Sequence, residues 1–175
     1  MKYIIDTDNG TCTPYTETAP DVSKAEKITA ELASHRGDTE YNGFCATVQK
    51  WFYDYVSKTA WCATTISYLL SNVLGIHIKE ENVNMLRERL AADHEHGTYY
   101  SRDNLPATIK RGDILFWLWS GSTMTNSSSK HVGLADKDAS AGATAIYCLG
   151  GNQKNKVCTL SYAKENLYAI YRLEG

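Results

Sequence analysis

The chain has 175 residues, of which 43% are hydrophobic, with 12 tyrosines and 4 tryptophans, a composition typical of one folded domain with a sizeable core. Its 18 basic and 20 acidic residues leave a net charge of −2, which speaks against nucleic acid as the main partner. No apolar run is long enough to span a bilayer, and the N-terminus turns acidic too early for a signal peptide. We therefore expect cytoplasmic synthesis and no membrane partner.

The cysteines are odd in number and irregular in spacing, and no Cys-x-x-Cys pair occurs. They are Cys12, Cys45, Cys62, Cys148 and Cys158. This pattern predicts neither a disulfide framework nor structural zinc, so at least one thiol should be free, and we expect no metal or cofactor. Cys148 and Cys158 lie equally far from Gln153, which predicts that they face each other across a hairpin as reduced thiols.

The first part of the chain predicts a short strand and two helices. A strand-like run at 3–5 leads into the polar segment 6–10, which resembles the start of a calcium loop. That segment lacks the further ligands and the closing glutamate of such a loop, so we interpret it as a polar turn. Asp21 can cap a helix that runs to about Ser34, and an aromatic-rich helix is predicted over 44–56. Cys45, in the second helix, is interpreted as a core residue.

Cys62 lies in the first turn of a third predicted helix, which ends at Gly75. One stripe of this helix has the spacing of a buried face: Cys62, Ile66, Leu69, Leu70 and Val73. Free backbone N–H groups and the positive end of the helix dipole favour a thiolate at this position. A cysteine there is either a small core residue or a nucleophile.

Residues 76–105 contain a short extended piece and a helix over about 79–92. His94 and His96 follow, with acidic residues beside them. Two histidines at this spacing can share a metal ion on a strand, but here they come at a charged helix end. We interpret them as solvated surface residues.

From Gly112 onward the pattern changes from helices to strands. The near-continuous apolar run 112–119 is typical of a strand buried on both faces. Further strands are predicted at 131–135, 144–149, 157–160 and 168–173. A Ser/Thr/Gly-rich loop lies at 120–130, and a turn at 150–155. Helices first and strands second predict an α+β fold, with the Cys62 helix packed on an antiparallel sheet.

Catalysis by a thiol needs a thiolate, a base beside it and a polar group that fixes the tautomer of the base. Cys62 at a helix start, His131 at a strand start and Asn152 after the next strand are residues of these types. Gly133, on the same predicted face as His131, would leave room for a substrate. Each residue alone is more typical of a structural role, so the signal lies in their order and co-occurrence.

Four motifs, in order along the chain, resemble those of a known family. They are Trp61-Cys62-Ala63, Arg111-Gly112-Asp113-Ile114-Leu115-Phe116, Lys130-His131-Val132-Gly133-Leu134 and Leu149-Gly150-Gly151-Asn152-Gln153. The family is that of the CHAP-type peptidoglycan hydrolases, which are cysteine, histidine-dependent amidohydrolases/peptidases, and the likeness is greatest to a phage-associated subgroup with a Gly-Gly-Asn-Gln turn. The resemblance covers roughly residues 44–173 and implies a papain-like fold.

Carried over by residue, the resemblance implies that Cys62 is the nucleophile, His131 the base and Asn152 the orienting residue. With it we expect Trp61, Gly133 and Gln153 to bind the substrate, although strand alternation predicts that the Gln153 side chain points away from His131.

The chain also departs from the family. Gly150 stands where many CHAP domains carry a glutamate, and the acidic calcium-binding segment of some relatives is missing. The N-terminal extension 1–40 and the helical insertion 76–105 match none of the family's motifs.

The resemblance implies one catalytic domain over 1–175 that cleaves an amide bond in the stem peptide or cross-bridge of peptidoglycan, as an endopeptidase or N-acetylmuramoyl-L-alanine amidase. A phage endolysin or tail-associated lysin that reaches the cell wall after release or delivery fits this activity. No wall-binding module is recognisable, which implies a separate wall-targeting subunit or cleavage with modest affinity. The alternatives are a non-catalytic module of the same fold, acting in phage tail assembly or wall binding, and a protein-directed thiol protease or toxin.

Overall fold

The structure, a computed structural model, describes residues 2–6, 11–15, 22–57, 59–119, 122–124 and 130–175. Within these ranges the α-helices are α1 (Lys24–Ser34), α2 (Gly43–Tyr53), α3 (Cys62–Tyr68) and α4 (Val83–Ala92). Helix α3 continues into a π-helical turn at Leu69–Val73. None of the described helices is long and apolar enough to cross a membrane.

The strands of the described residues pair antiparallel throughout. They are β1 (Lys2–Asp6), β2 (Thr11–Tyr15), β3 (Gly97–Ser101), β4 (Thr108–Ile109), β5 (Ile114–Leu118), β6 (Lys130–Ala135), β7 (Ala139–Ser140), β8 (Ala145–Gln153), β9 (Lys156–Ala163) and β10 (Leu167–Leu173). The main sheet has the order β3-β10-β5-β6-β8-β9, while β1–β2 and β4–β7 form two separate pairs. This architecture confirms the predicted α+β class, with the Cys62 helix packed on an antiparallel sheet.

The helix boundaries follow local capping chemistry. The Ser23 hydroxyl accepts a hydrogen bond from the Glu26 N–H at 3.2 Å, so α1 begins after Ser23 rather than at Asp21, which lies outside the described residues. Helix α2 is shorter than predicted because Asp54 adopts the left-handed conformation, with φ 67°. Gly75 has φ 73° and ends the π-helical turn, as the sequence predicts. The predicted polar turn begins at Asp6, the last residue of β1, and its residues 7–10 are outside the described ranges.

Both faces of the main sheet are buried. The helices cover one face, where Ile66 of α3, Phe116 of β5 and Val132 of β6 belong to the larger apolar cluster. The opposite face forms a second cluster around Leu115 and Trp117, with contributions from β4, β8 and β10. Strand β5 is therefore buried on both sides, as its unbroken apolar run predicts.

Strands β8 and β9 form a hairpin with a bulge near its tip. Gly150 pairs with Cys158 and Gln153 pairs with Lys156, so two residues of β8 lie opposite the single Val157 of β9. The expected pairing of Cys148 with Cys158 is wrong, because Cys158 lies opposite Gly150 and the chain reverses at 154–155 instead of at Gln153. The four cysteines whose side chains the structure describes are all free thiols: Cys45, Cys62, Cys148 and Cys158.

Candidate active site

Cys62 is the first residue of α3, and its sulfur lies against strand β6. Trp61 precedes it at the N-cap and offers no side-chain hydrogen bond to the first turn. Backbone N–H groups of Val132, Ala63 and Cys62 itself hydrogen-bond the sulfur. This arrangement brings the expected nucleophile to the strand that carries His131, one residue away from it.

Burial decides the protonation state of Cys62. The residue is only 6% exposed, and desolvation raises the pKa of the thiol by more than the three backbone hydrogen bonds lower it. The expectation that the helix start makes Cys62 thiolate-like is therefore wrong, because burial of the sulfur favours the neutral thiol. The backbone N–H groups act in the predicted direction, but desolvation of the buried sulfur outweighs them.

His131 is a buried, neutral imidazole. It is 7% exposed, and desolvation lowers its pKa from 6.5 to about 4. Its Nε2 atom is buried and has no hydrogen-bond partner among the described residues. The ring packs edge-on against Tyr162, with 6.0 Å between ring centroids and 69° between planes.

The structure brings Cys62 and His131 to the same strand without joining their side chains. His131 lies opposite Trp117 in the β5–β6 ladder, so its side chain is on the sheet face of the second apolar cluster. Cys62 belongs to the cluster on the helix-covered face, together with Val132. Within the described part of the chain, no hydrogen bond connects the thiol with the imidazole.

Asn152 lies in the bulge of β8. It has φ 59°, a left-handed conformation that asparagine tolerates better than most residues, and it is half-buried. Strand β8 pairs with β6 at Leu149 and Leu134, and the same register, if continued, would set Asn152 opposite His131. The ladder stops short of that point, and the Asn152 side chain forms no hydrogen bond to another described residue. The predicted orienting contact is therefore absent from this arrangement.

Gln153 is a buried neighbour of the histidine, contrary to the prediction that it points away. It is 2% exposed, and its Nε2 atom donates to the carbonyl oxygens of Cys148 at 3.1 Å and Cys158 at 2.6 Å. Its Oε1 atom accepts from the Tyr162 hydroxyl at 2.7 Å. The bulge interrupts the alternation of side chains along β8, which is why a prediction from strand periodicity fails here.

The other expected substrate contacts are also interior. Trp61 is fully buried, and β8 passes so close to it that a Cβ atom on Gly151 would lie 2.6 Å from Trp61 Cζ3. A Cβ atom on Gly133 would lie 2.6 Å from Cys148 Sγ, so Cys148 fills the room that the sequence suggested for a substrate. These small residues let α3, β6 and β8 pack closely around the site.

Sequence reasoning missed Tyr162, which lies 31 residues after His131 in no recognised motif. The sequence did single out Gly150, which departs from the family pattern and lies beside the histidine that Tyr162 contacts. A Cβ atom on Gly150 would lie 2.9 Å from His131 Nε2 and 3.0 Å from Gln153 Nε2. Because residue 150 is a glycine, space remains there for the imidazole ring.

Two cavities of about 450 and 550 Å³ lie elsewhere on the described surface, the first beside α4 and the second beside the start of β10. In the described part of the chain, no three His, Cys, Asp or Glu side chains come together as a metal site. His96, which the sequence leaves as a surface residue, is half-buried and pairs with Asp93 at 3.1 Å.

Comparisons with known proteins add a likeness of fold. No protein-family model and no curated protein matches the chain. Among solved structures, the chain is similar to the wild-type endolysin LysIME-EF1, with a TM-score of 0.54 and 13% sequence identity. The match covers 87% of this chain and 65% of the endolysin chain. The chain thus has a lysin-like fold and spans about two thirds of the length of that endolysin.

Proposed function

We propose that the protein is a CHAP-type peptidoglycan hydrolase, in which Cys62 and His131 cleave an amide bond of the stem peptide or cross-bridge. One observation carries the proposal: the Cys62 sulfur lies at a helix start, receives backbone N–H groups from α3 and β6, and adjoins the strand of His131. The likeness of fold to an endolysin supports the same substrate class. In this proposal residues 1–175 form one catalytic domain.

The chemistry would be acyl transfer. The Cys62 sulfur attacks the amide carbonyl carbon, the thiol proton passes to His131, and the imidazolium gives it to the departing amine as the C–N bond breaks. Water then attacks the thioester, with His131 taking its proton, and releases the carboxylic acid and the free thiol. Backbone N–H groups at the start of α3 would stabilise the oxyanion of each tetrahedral intermediate.

The neutral resting pair sets a requirement on this mechanism. Because the thiol and the imidazole are both buried and uncharged, proton transfer must accompany the attack instead of preceding it. Because no hydrogen bond links them and they lie on opposite faces of β6, side-chain rotation alone cannot join them. The proposal therefore requires that substrate binding shift the backbone at the start of α3 or β6 and bring the thiol to the imidazole, which keeps its place. Asn152 is proposed to fix the imidazole tautomer in that bound arrangement.

The same two features favour a second candidate function, a non-catalytic module of CHAP fold that binds the cell wall. A buried thiol and an unpartnered buried imidazole on opposite sheet faces are compatible with structural roles for both residues. The candidates differ in whether bound peptidoglycan is cut.

Purified peptidoglycan of several cross-bridge types, followed by mass spectrometry of the soluble fraction, tests the proposal. We expect the wild type to release fragments with new amine and carboxyl ends, and Cys62→Ala to release none while staying folded. Cys45→Ala is the matched control, because Cys45 is also a buried free cysteine but lies on α2 and not at the start of α3. Equal release by Cys62→Ala would refute the catalytic assignment, and wall binding without release by the wild type would establish the second candidate.

A further inference from the structure

The His131 imidazole is held by packing instead of by a hydrogen bond. Its Nε2 atom lies over Gly150, where a Cβ atom would be only 2.9 Å away, and it has no partner among the described residues. A buried polar atom without a hydrogen-bond partner is costly. Packing against neighbouring side chains must therefore hold the ring in this position.

Tyr162 supplies the packing. Its ring meets the imidazole edge-on at 6.0 Å, and it is itself held by Trp117 at 5.1 Å and by Trp119 at 5.3 Å, measured between ring centroids. Edge-to-face contacts at these distances are favourable and directional. The tyrosine therefore defines one wall of the space that the imidazole occupies.

Gln153 fixes the position of Tyr162. Its Oε1 atom accepts the tyrosine O–H at 2.7 Å, while its Nε2 atom donates to the carbonyls of Cys148 and Cys158. An amide group has two N–H donors, so these contacts at 3.1 and 2.6 Å use both of them. Gln153 thus ties β8, β9 and the tyrosine hydroxyl together, directly beside the Gly150 position.

We propose that Gln153 and Tyr162 form a positioning pair for His131: the amide anchors the tyrosine hydroxyl, the tyrosine ring holds the imidazole, and Gly150 leaves space for its Nε2 atom. This inference rests on the proposed function and adds to it two residues that act through His131 without touching the substrate. Asn152 would fix the tautomer, and the Gln153–Tyr162 pair would fix the place of the ring.

The Gln153–Tyr162 pair also excludes water from the imidazole of His131. Burial raises the pKa of Tyr162 most, and the nearby cysteines Cys148, Cys158 and Cys62 raise it further. Burial is also the cause that lowers the pKa of His131. Loosening Tyr162 would admit water to the ring and move the pKa of His131 from about 4 back toward 6.5. A purely structural tyrosine would lower the amount of folded protein without this effect on the histidine that remains folded.

Tyr162→Phe tests the pair, because it removes the hydroxyl and keeps the ring. We expect kcat on peptidoglycan fragments to fall about 10- to 100-fold with KM changed less than about threefold, and the acid limb of the pH–rate profile to move to higher pH. Gln153→Ala should act in the same direction, and Tyr162→Phe combined with Gln153→Ala should cost little more than either alone. Tyr147→Phe is the matched control, since Tyr147 is an exposed tyrosine on β8.

An NMR titration of the His131 ring provides a readout that does not need activity. A higher His131 pKa in folded Tyr162→Phe than in the wild type supports the inference even if peptidoglycan proves not to be the substrate. An unchanged His131 pKa together with unchanged kcat would overturn it. If the wild type cuts peptidoglycan but Tyr162→Phe and Gln153→Ala cut it equally well, the proposed function stands and the positioning pair does not.

Discussion

Cys62 and His131 share one electrostatic condition, because each is buried in its uncharged form. A thiolate–imidazolium pair formed at rest would place two charges in a low-dielectric site, and desolvation opposes both of them. The proposed reaction then starts from neutral groups, and charge develops as the substrate carbonyl is attacked. The backbone N–H groups at the sulfur would be most valuable at that moment, when negative charge moves to the oxyanion.

The low pKa of His131 predicts how stability depends on pH. The unfolded histidine binds its proton near pH 6.5 and the folded one only near pH 4, so between these values the unfolded state holds more protons. Stability contributed by His131 is therefore complete above about pH 6.5 and is lost as the pH falls toward 4, by about 3 kcal/mol in total.

Urea unfolding at several pH values measures this loss. The free energy of unfolding of the wild type should fall by about 3 kcal/mol more than that of His131→Gln between pH 7 and pH 4. His77→Gln, at an exposed histidine, should follow the wild type. Parallel curves for the wild type and His131→Gln would show that the folded imidazole titrates normally.

The β8–β9 hairpin is the element that joins the residues of the site. Its bulge turns Asn152 into a left-handed conformation, buries Gln153 and brings Gly151 against Trp61 and Thr65 of the α3 region. Without the bulge, β8 would continue as a regular strand and present a different set of side chains to β6. A local irregularity of one residue thus sets the surroundings of His131.

Substitutions at Asn152 separate its backbone role from its side-chain role. Asn152→Gly keeps the left-handed conformation and should change stability by less than about 0.5 kcal/mol, whereas Asn152→Ala should lose about 1 kcal/mol. If Asn152 fixes the imidazole tautomer, both variants should lower turnover by about 10- to 100-fold. Thermal unfolding and peptidoglycan turnover check the two parts, and a fully active Asn152→Gly would remove the side chain from the mechanism.

This hairpin also shows what the sequence predicts and what it does not. The apolar stripe of α3 and the unbroken apolar run of β5 determine burial directly, so the Cys62 helix and the central strand are predicted correctly. The segment Gly150-Gly151-Asn152 has the composition of a turn, yet the structure reverses the chain at Lys154 and Asn155 and keeps the glycines within the strand. Close packing against Trp61 and Thr65 requires Gly151, and the space for the His131 ring requires Gly150. Both contacts are between residues far apart in the chain.

At the scale of the molecule, an ion pair with a buried carboxylate joins β10 to the residue just before β5. The Arg172 guanidinium of β10 donates to both carboxylate oxygens of Asp113, just before β5, at 2.8 and 2.7 Å, and also to the Thr108 carbonyl at 2.7 Å. Asp113 is 2% exposed and also accepts from the Lys110 N–H. The pair holds together strands that come from distant parts of the chain.

Asp113→Ala tests the contribution of this pair to stability. Removing one partner leaves the guanidinium without its carboxylate, and because Arg172 still reaches water in part we expect a loss of about 3 kcal/mol. In a chain of this size that corresponds to a fall in Tm of about 6–12 °C. Asp138→Ala is the control, since its pair with Lys110 is exposed and should contribute less than about 1 kcal/mol. Equal Tm values for the two variants would contradict a structural role for the Asp113–Arg172 pair.

The position of β10 has a consequence for synthesis on the ribosome. Strand β3 has β10 as its partner in the main sheet, and β10 also completes the outer side of β5, yet it follows both by a long stretch of chain. Closing such non-local pairings is slow, and until it happens β5 carries an unpaired apolar edge. A nascent chain therefore displays the unpaired β5 edge before Leu167–Leu173 emerges, and during that interval this edge is open to holdase chaperones.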